Sequence, residues 1–170
     1  MKKALIVIDA QNEYCAGGGY PLWNMEETMA NIVKAMRAAK EKKIPIVLIQ
    51  HAFPVDSGMP IFIEGTPGDQ IADQIRSEAP DAPVVVKADG DSFYHTNLEE
   101  ILSGMGIEEI VITGMMTHNC VVFTSLSKGA EKYSVKIIPE CTTTIDPMVH
   151  SLALAGLSVR LPFVSIEEAF

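Results

Sequence analysis

The chain has 170 residues, 48% of them hydrophobic, and a formal net charge of -9. That length suits a single domain, residues 1–170, with one large core. The negative balance argues against nucleic acid or an anionic membrane as the main partner, because phosphates would be repelled.

The chain opens with Met1-Lys2-Lys3 followed by the apolar run Ala4–Ile8. That run is too short for a signal-peptide core and ends at Asp9, so it reads as a first, buried strand. Met25–Lys42 reads as a helix, with Met29, Ile32, Val33 and Met36 at helical spacing and Asn24 as its N-cap. Pro45–Ile49 is the second strand. Residues 51–68, dense in proline and glycine, form an irregular excursion, and a short helix follows around Asp69–Glu78. Val84–Val86 is the third strand, Asn97–Met105 a helix stopped near Gly106, and Glu109–Thr113 the fourth strand. Asn119–Lys132 reads as one helix, Val135–Ile138 as the fifth strand and Pro147–Leu157 as another helix. Pro162–Val164 is a short last strand, and Ser165 to Glu168 has the spacing of a capping box. No apolar run approaches the ~18 residues needed to span a bilayer.

Strands that are apolar throughout and alternate with helices imply an α/β fold. The expected architecture is a three-layer αβα sandwich around a doubly wound parallel sheet of about six strands, order 3-2-1-4-5-6. Right-handed crossovers bring every strand C-terminus to one edge, where ligands bind near the switch in strand order. The three cysteines do not read as a disulfide framework, and a reducing cytoplasm is their natural setting. Cys15 and Cys141 have no evident partner residues and read as structural. Gly17–Gly19 lack the spacing of a phosphate loop.

Three residues stand out at the carboxyl edge: Asp9 directly after the first strand, Lys87 directly after the third, and Cys120 shortly after the fourth. Each has an ordinary reading alone, as a turn aspartate, a solvated lysine and a buried thiol. Together they are a base, a cation and a nucleophile converging on one crevice. A helix N-terminus and a nearby ammonium would also lower the thiol pKa.

The segments around these residues resemble the isochorismatase-like cysteine hydrolase superfamily over nearly the whole chain. The likeness is carried by Asp9-Ala10-Gln11-Asn12-Glu13-Tyr14 with Gly17-Gly18-Gly19, by Lys87 with Ser92-Phe93, Thr96 and Leu98, and by Gly114-Met115-Met116-Thr117-His118-Asn119-Cys120-Val121. The chain departs from the family in a longer spacing from Lys87 to Phe93, and in His118-Asn119 where many relatives carry an acidic residue. The resemblance implies cleavage of a C–N bond in a small amide, ureido or lactam-like substrate through a Cys120 thioester. Asp9 would act as base and Lys87 as charge stabiliser. The backbone N–H groups of Met116 and Cys120 would form the oxyanion hole, next to a cis peptide between Met115 and Met116. Gln11, Trp23, His51, Phe93 and Thr117 are candidate pocket residues. No cofactor is implied. Nicotinamidase relatives bind a metal through an Asp-x-His motif and further histidines, of which only His51 stands after the second strand, so no catalytic metal is expected. Relatives are commonly oligomeric, which together with the apolar content implies a homo-oligomer. Two alternatives stand beside this reading: a vinyl-ether, isochorismate-type hydrolase on the same fold, and a non-catalytic binding module.

Overall fold

The computed structural model describes residues 1–170. Five strands, β1 (Lys3–Ile8), β2 (Ile46–His51), β3 (Val84–Lys87), β4 (Glu109–Met115) and β5 (Ser134–Thr143), form one parallel sheet in the order β3-β2-β1-β4-β5. β1 explains the continuous apolar run. Leu5 and Val7 enter the core on one face of the sheet, and Ala4, Ile6 and Ile8 enter the core on the other. A strand buried on both faces has no position for a polar residue.

Helix α1 (Met25–Glu41) lays Met29, Ile32 and Met36 on the first core. That layer also holds α2 (Asp73–Arg76) and α6 (Ile166–Ala169), which contribute Ile75 and Ala169. The opposite core takes Leu98 and Leu102 of α3 (Leu98–Gly104) and Leu157 of α5 (Pro147–Ser158). The three-layer architecture is as expected. The capping box is also present: Glu168 N–H donates to the Ser165 hydroxyl at 3.2 Å, and Ser165 N–H donates to Glu168 Oε2 at 2.8 Å. No helix is long and apolar enough to cross a membrane.

Three expectations are corrected. The sixth strand is absent: Phe163 makes one isolated parallel bridge to Ile137 of β5. Pro162 lacks an N–H, and the capping box at Ser165 turns the chain into α6 before a ladder can extend. The single helix expected over Asn119–Lys132 is broken into a π-helical turn (Thr117–Val121), α4 (Val122–Ser125) and a 3-10 turn (Lys128–Lys132). Ser127 fixes the break, because its hydroxyl donates to Asp91 Oδ2 at 2.7 Å and accepts from Gly129 N–H at 3.0 Å. Asn24 does precede α1, but in the left-handed region at φ 52°, and its side chain caps nothing. Asparagine is among the few residue types that enter that region readily.

Candidate active site

The sheet order reverses between β1 and β4, which places Asp9 at the switch point. Gly114 on β4 lets the two strands meet there. Its φ is 109°, and a Cβ would lie 2.0 Å from the Ile8 carbonyl oxygen. Lys87 ends β3 in register with His51, which ends β2. The Cys120 thiol comes from the π-helical turn, which closes on the Met116 carbonyl: the N–H groups of Asn119 and Val121 both donate to it, at 3.0 and 3.2 Å. The peptide between Met115 and Met116 is cis.

These elements bring Asp9, Lys87 and Cys120 together below the surface, with exposures of 0%, 2% and 1%. The Lys87 ammonium donates to Asp9 Oδ2 at 3.0 Å and to Cys120 Sγ at 3.2 Å. It also reaches the Asp89 carbonyl at 2.9 Å and His51 Nδ1 at 3.0 Å. His51 Nδ1 lies 3.5 Å from Asp9 Oδ2 and 3.9 Å from Cys120 Sγ. Asp9 Oδ1 and His51 Nε2 are buried without hydrogen-bond partners.

The charges settle in a definite order. Burial pushes the Asp9 carboxyl up, but the Lys87 ammonium leads the interactions that outweigh it and hold the group below the ordinary carboxylate value. Burial pulls the Lys87 ammonium down, yet Asp9 and Cys120 bring it above the ordinary lysine value. Burial and the Asp9 carboxylate raise the Cys120 thiol, and Lys87 offsets only part of this. The expectation of a lowered thiol pKa is therefore reversed. Cys120 lies inside the π-helical turn, ahead of a helix only four residues long, so little helix dipole bears on it. At rest the site holds a carboxylate, an ammonium and a protonated thiol.

The other candidate residues divide. His51 is buried in contact with the three central groups. Gln11 spends its side chain on the backbone: Nε2 donates to the carbonyls of His51 (2.8 Å) and Asp69 (2.6 Å), and Oε1 accepts from the His51 N–H (2.8 Å). The Thr117 hydroxyl is 2.9 Å from His150 Nδ1, and the Trp23 ring lies 5.5 Å from the same imidazole. The Phe93 ring lies 6.1 Å from that of Tyr133 and is packed over Gly129. The Asp89 carbonyl went unnoticed in the sequence; the only signal for it was that a buried lysine needs acceptors for three protons.

Asp9, His51 and Cys120 carry the ligand types of a metal site, with donor atoms within 4.8 Å of one another. The Lys87 ammonium stands among them at 3.0–3.2 Å and supplies the positive charge there. Beside Lys87 lies a cleft of about 420 Å³ lined by Ala52, Pro54, Glu64, Asp89, Tyr94 and His95. That volume accommodates a small molecule.

Residues 3–167 match the Isochorismatase domain. The secreted isochorismatase effector Isc1 of Verticillium dahliae is 38% identical over 98% of this chain and 84% of its own length. The ureidoacrylate amidohydrolase RutB of Methylobacterium radiotolerans is 26% identical over 98% of this chain and 77% of its own. The crystal structure of an isochorismatase-like hydrolase from Alkaliphilus metalliredigens superimposes with a TM-score of 0.90 at 24% identity, covering 99% of this chain and 97% of that one, a likeness of fold.

Proposed function

The chain belongs to the isochorismatase family of hydrolases, and from that premise we propose that it cleaves the C–N bond of a small amide, ureido or lactam-like substrate through a Cys120 thioester. The observation that carries this reading is the Lys87 ammonium bonded to both Asp9 and Cys120 in a site closed to bulk water. The similarity to an amidohydrolase supports the same chemistry.

Because the resting nucleophile is a thiol, attack requires a base. Cys120 Sγ bonds to the substrate carbonyl carbon as its proton passes to Asp9, which the site holds ionised for that purpose. The carbonyl oxygen becomes an oxyanion, held by the backbone N–H groups of Met116 and Cys120; such a donor is worth about 3–4 kcal/mol in the transition state. Collapse breaks the C–N bond, and the proton on Asp9 goes to the leaving amine. Water then gives a proton to Asp9 and its oxygen to the acyl carbon, the C–S bond breaks, and the released thiolate regains a proton. The free thiols fit a cytoplasmic setting. The test is a hydrolysis screen over small amides, ureido acids and lactams, read by ammonia release where the nitrogen departs and by product mass where, as in a lactam, the amine stays tethered. Turnover should be found in the parent protein and abolished in a folded Cys120→Ala variant; retained activity in that variant removes Cys120 as nucleophile.

A second reading is favoured by the relative at 38% identity, which is named an isochorismatase. Hydrolysis of a vinyl ether breaks a C–O bond and needs no acyl-enzyme. Intact-mass analysis of quenched turnover separates the two: an acyl adduct on Cys120 supports amide cleavage, whereas isochorismate turnover without an adduct supports the alternative.

A further inference from the structure

The Lys87 ammonium has three protons and faces four acceptors: Asp9 Oδ2 at 3.0 Å, His51 Nδ1 at 3.0 Å, the Asp89 carbonyl at 2.9 Å and Cys120 Sγ at 3.2 Å. One acceptor must always go without a full bond. In the resting site the weakest of the four is the thiol sulfur. When the thiol proton moves to Asp9, the order changes for two of them only: the carboxyl becomes neutral and the sulfur becomes an anion. The imidazole and the carbonyl are chemically unchanged by that transfer.

We propose that His51 is a positioning residue: with the Asp89 carbonyl it holds two of the three Lys87 protons throughout the reaction, so that the third is handed from Asp9 to Cys120 as the negative charge moves. The proton-transfer step rests on the thioester chemistry proposed above; the resting hydrogen bond does not.

The surroundings of His51 serve this role. An ammonium has no acceptor, so to bond Lys87 Nδ1 must offer its lone pair and the ring proton must sit on Nε2, a buried atom with no acceptor of its own. Gln11 clamps the His51 backbone at both its N–H and its carbonyl, each at 2.8 Å. The Phe62 ring stacks on the imidazole at 5.2 Å and 3°, and the Phe53 ring lies 4.7 Å away. Backbone and ring plane are thus both held, and Nδ1 stays aimed at Lys87. Gln11, which the sequence marks as a substrate contact, acts here as the support of the aiming group.

Two measurements test this. In protein labelled with 15N-histidine, the His51 signals are assigned by their loss in His51→Asn. At neutral pH they should report a neutral ring protonated at Nε2, with an Nδ1 shift that changes in Lys87→Met. A ring protonated at Nδ1, or at both nitrogens, overturns the proposal. The second measurement compares isosteres, since an asparagine amide sits near the position of Nδ1 and a glutamine amide near that of Nε2. His51→Asn should keep kcat within about 10-fold, while His51→Gln and His51→Ala should lose roughly 10- to 150-fold in kcat with KM changed less than about 3-fold. Equal losses in Asn and Gln, or a loss confined to KM, overturn it. The labelling experiment uses no substrate, so its failure counts against His51, whereas absence of amide turnover in the parent protein counts against the proposed function.

Discussion

Replacing Lys87 with methionine keeps most of the side-chain volume and removes the only ammonium that contacts Asp9 and Cys120. The Asp9 carboxylate, with 0% exposure, loses its ion-pair partner at 3.0 Å and already has one oxygen without a hydrogen bond. Removing one partner of a buried pair typically costs about 3–5 kcal/mol, because the remaining charge is left uncompensated. Against a total stability of about 5–15 kcal/mol, that is a large share. The carboxyl can escape the penalty only by taking up a proton, and it then no longer serves as base at neutral pH. General-base loss alone should lower kcat by about 10²–10⁴-fold. The double variant Asp9→Asn/Lys87→Met removes both charges and should recover most of the lost stability while remaining inactive. The assay is urea unfolding of the parent, both single variants and the double variant as a double-mutant cycle, beside kcat and the pH dependence of Cys120 alkylation. Cys120 in Lys87→Met should alkylate more slowly near neutrality. Should Lys87→Met unfold at the parent's urea midpoint and alkylate along the parent's pH profile, the three groups do not form a coupled site.

Asp9→Asn should lower kcat by about 10²–10⁴-fold with a smaller effect on KM, as steady-state kinetics will register. It should also flatten acid unfolding. The folded Asp9 pKa is depressed, so its contribution is complete above the unfolded value of about 3.9 and disappears as pH falls through the folded value. A parent-like stability curve between those limits would contradict the ion pair. Activity should survive exhaustive chelation, because Lys87 supplies the positive charge at the site; loss with EDTA and recovery with zinc or iron would point to a metal on Asp9, His51 and Cys120. Self-association should run through α5, which contains no Asp, Glu, Lys or Arg and exposes Met148 (72%) and Leu152 (68%), with Val159 (82%) exposed just past its end. Two copies of a chain with net charge -9 would meet there with less repulsion than across a charged face. Leu152→Glu should therefore lower the mass found by light scattering, and a parent protein that is already monomeric across micromolar concentrations would refute this.

Much of the fold was legible because it is written in local period. The apolar run of β1 and the helical spacing of Met29, Ile32 and Met36 each report which faces are buried, and the structure uses them so. The order Asp9, Lys87, Cys120 was legible for a related reason: parallel crossovers return strand ends to one edge, so residues far apart in sequence could be assigned to one crevice. Period does not encode which atoms meet across the chain. The Lys87 contacts to Asp9 and Cys120 span 78 and 33 residues, and the clamp of Gln11 on His51 spans 40. Nothing in the sequence near Gln11 distinguishes a residue that touches substrate from one that spends its amide on a neighbouring strand. Likewise the apolar spacing of residues 119–132 is compatible with one helix. The structure ends that helical run just before Ser127, whose hydroxyl pairs with Asp91, 36 positions earlier, and it winds the segment holding Cys120 as a π-helical turn. The protonation order followed from the same packing, because the thiol pKa depends on how completely burial and the Asp9 charge outweigh one ammonium, and those are distances and exposures that exist only once the strands have assembled.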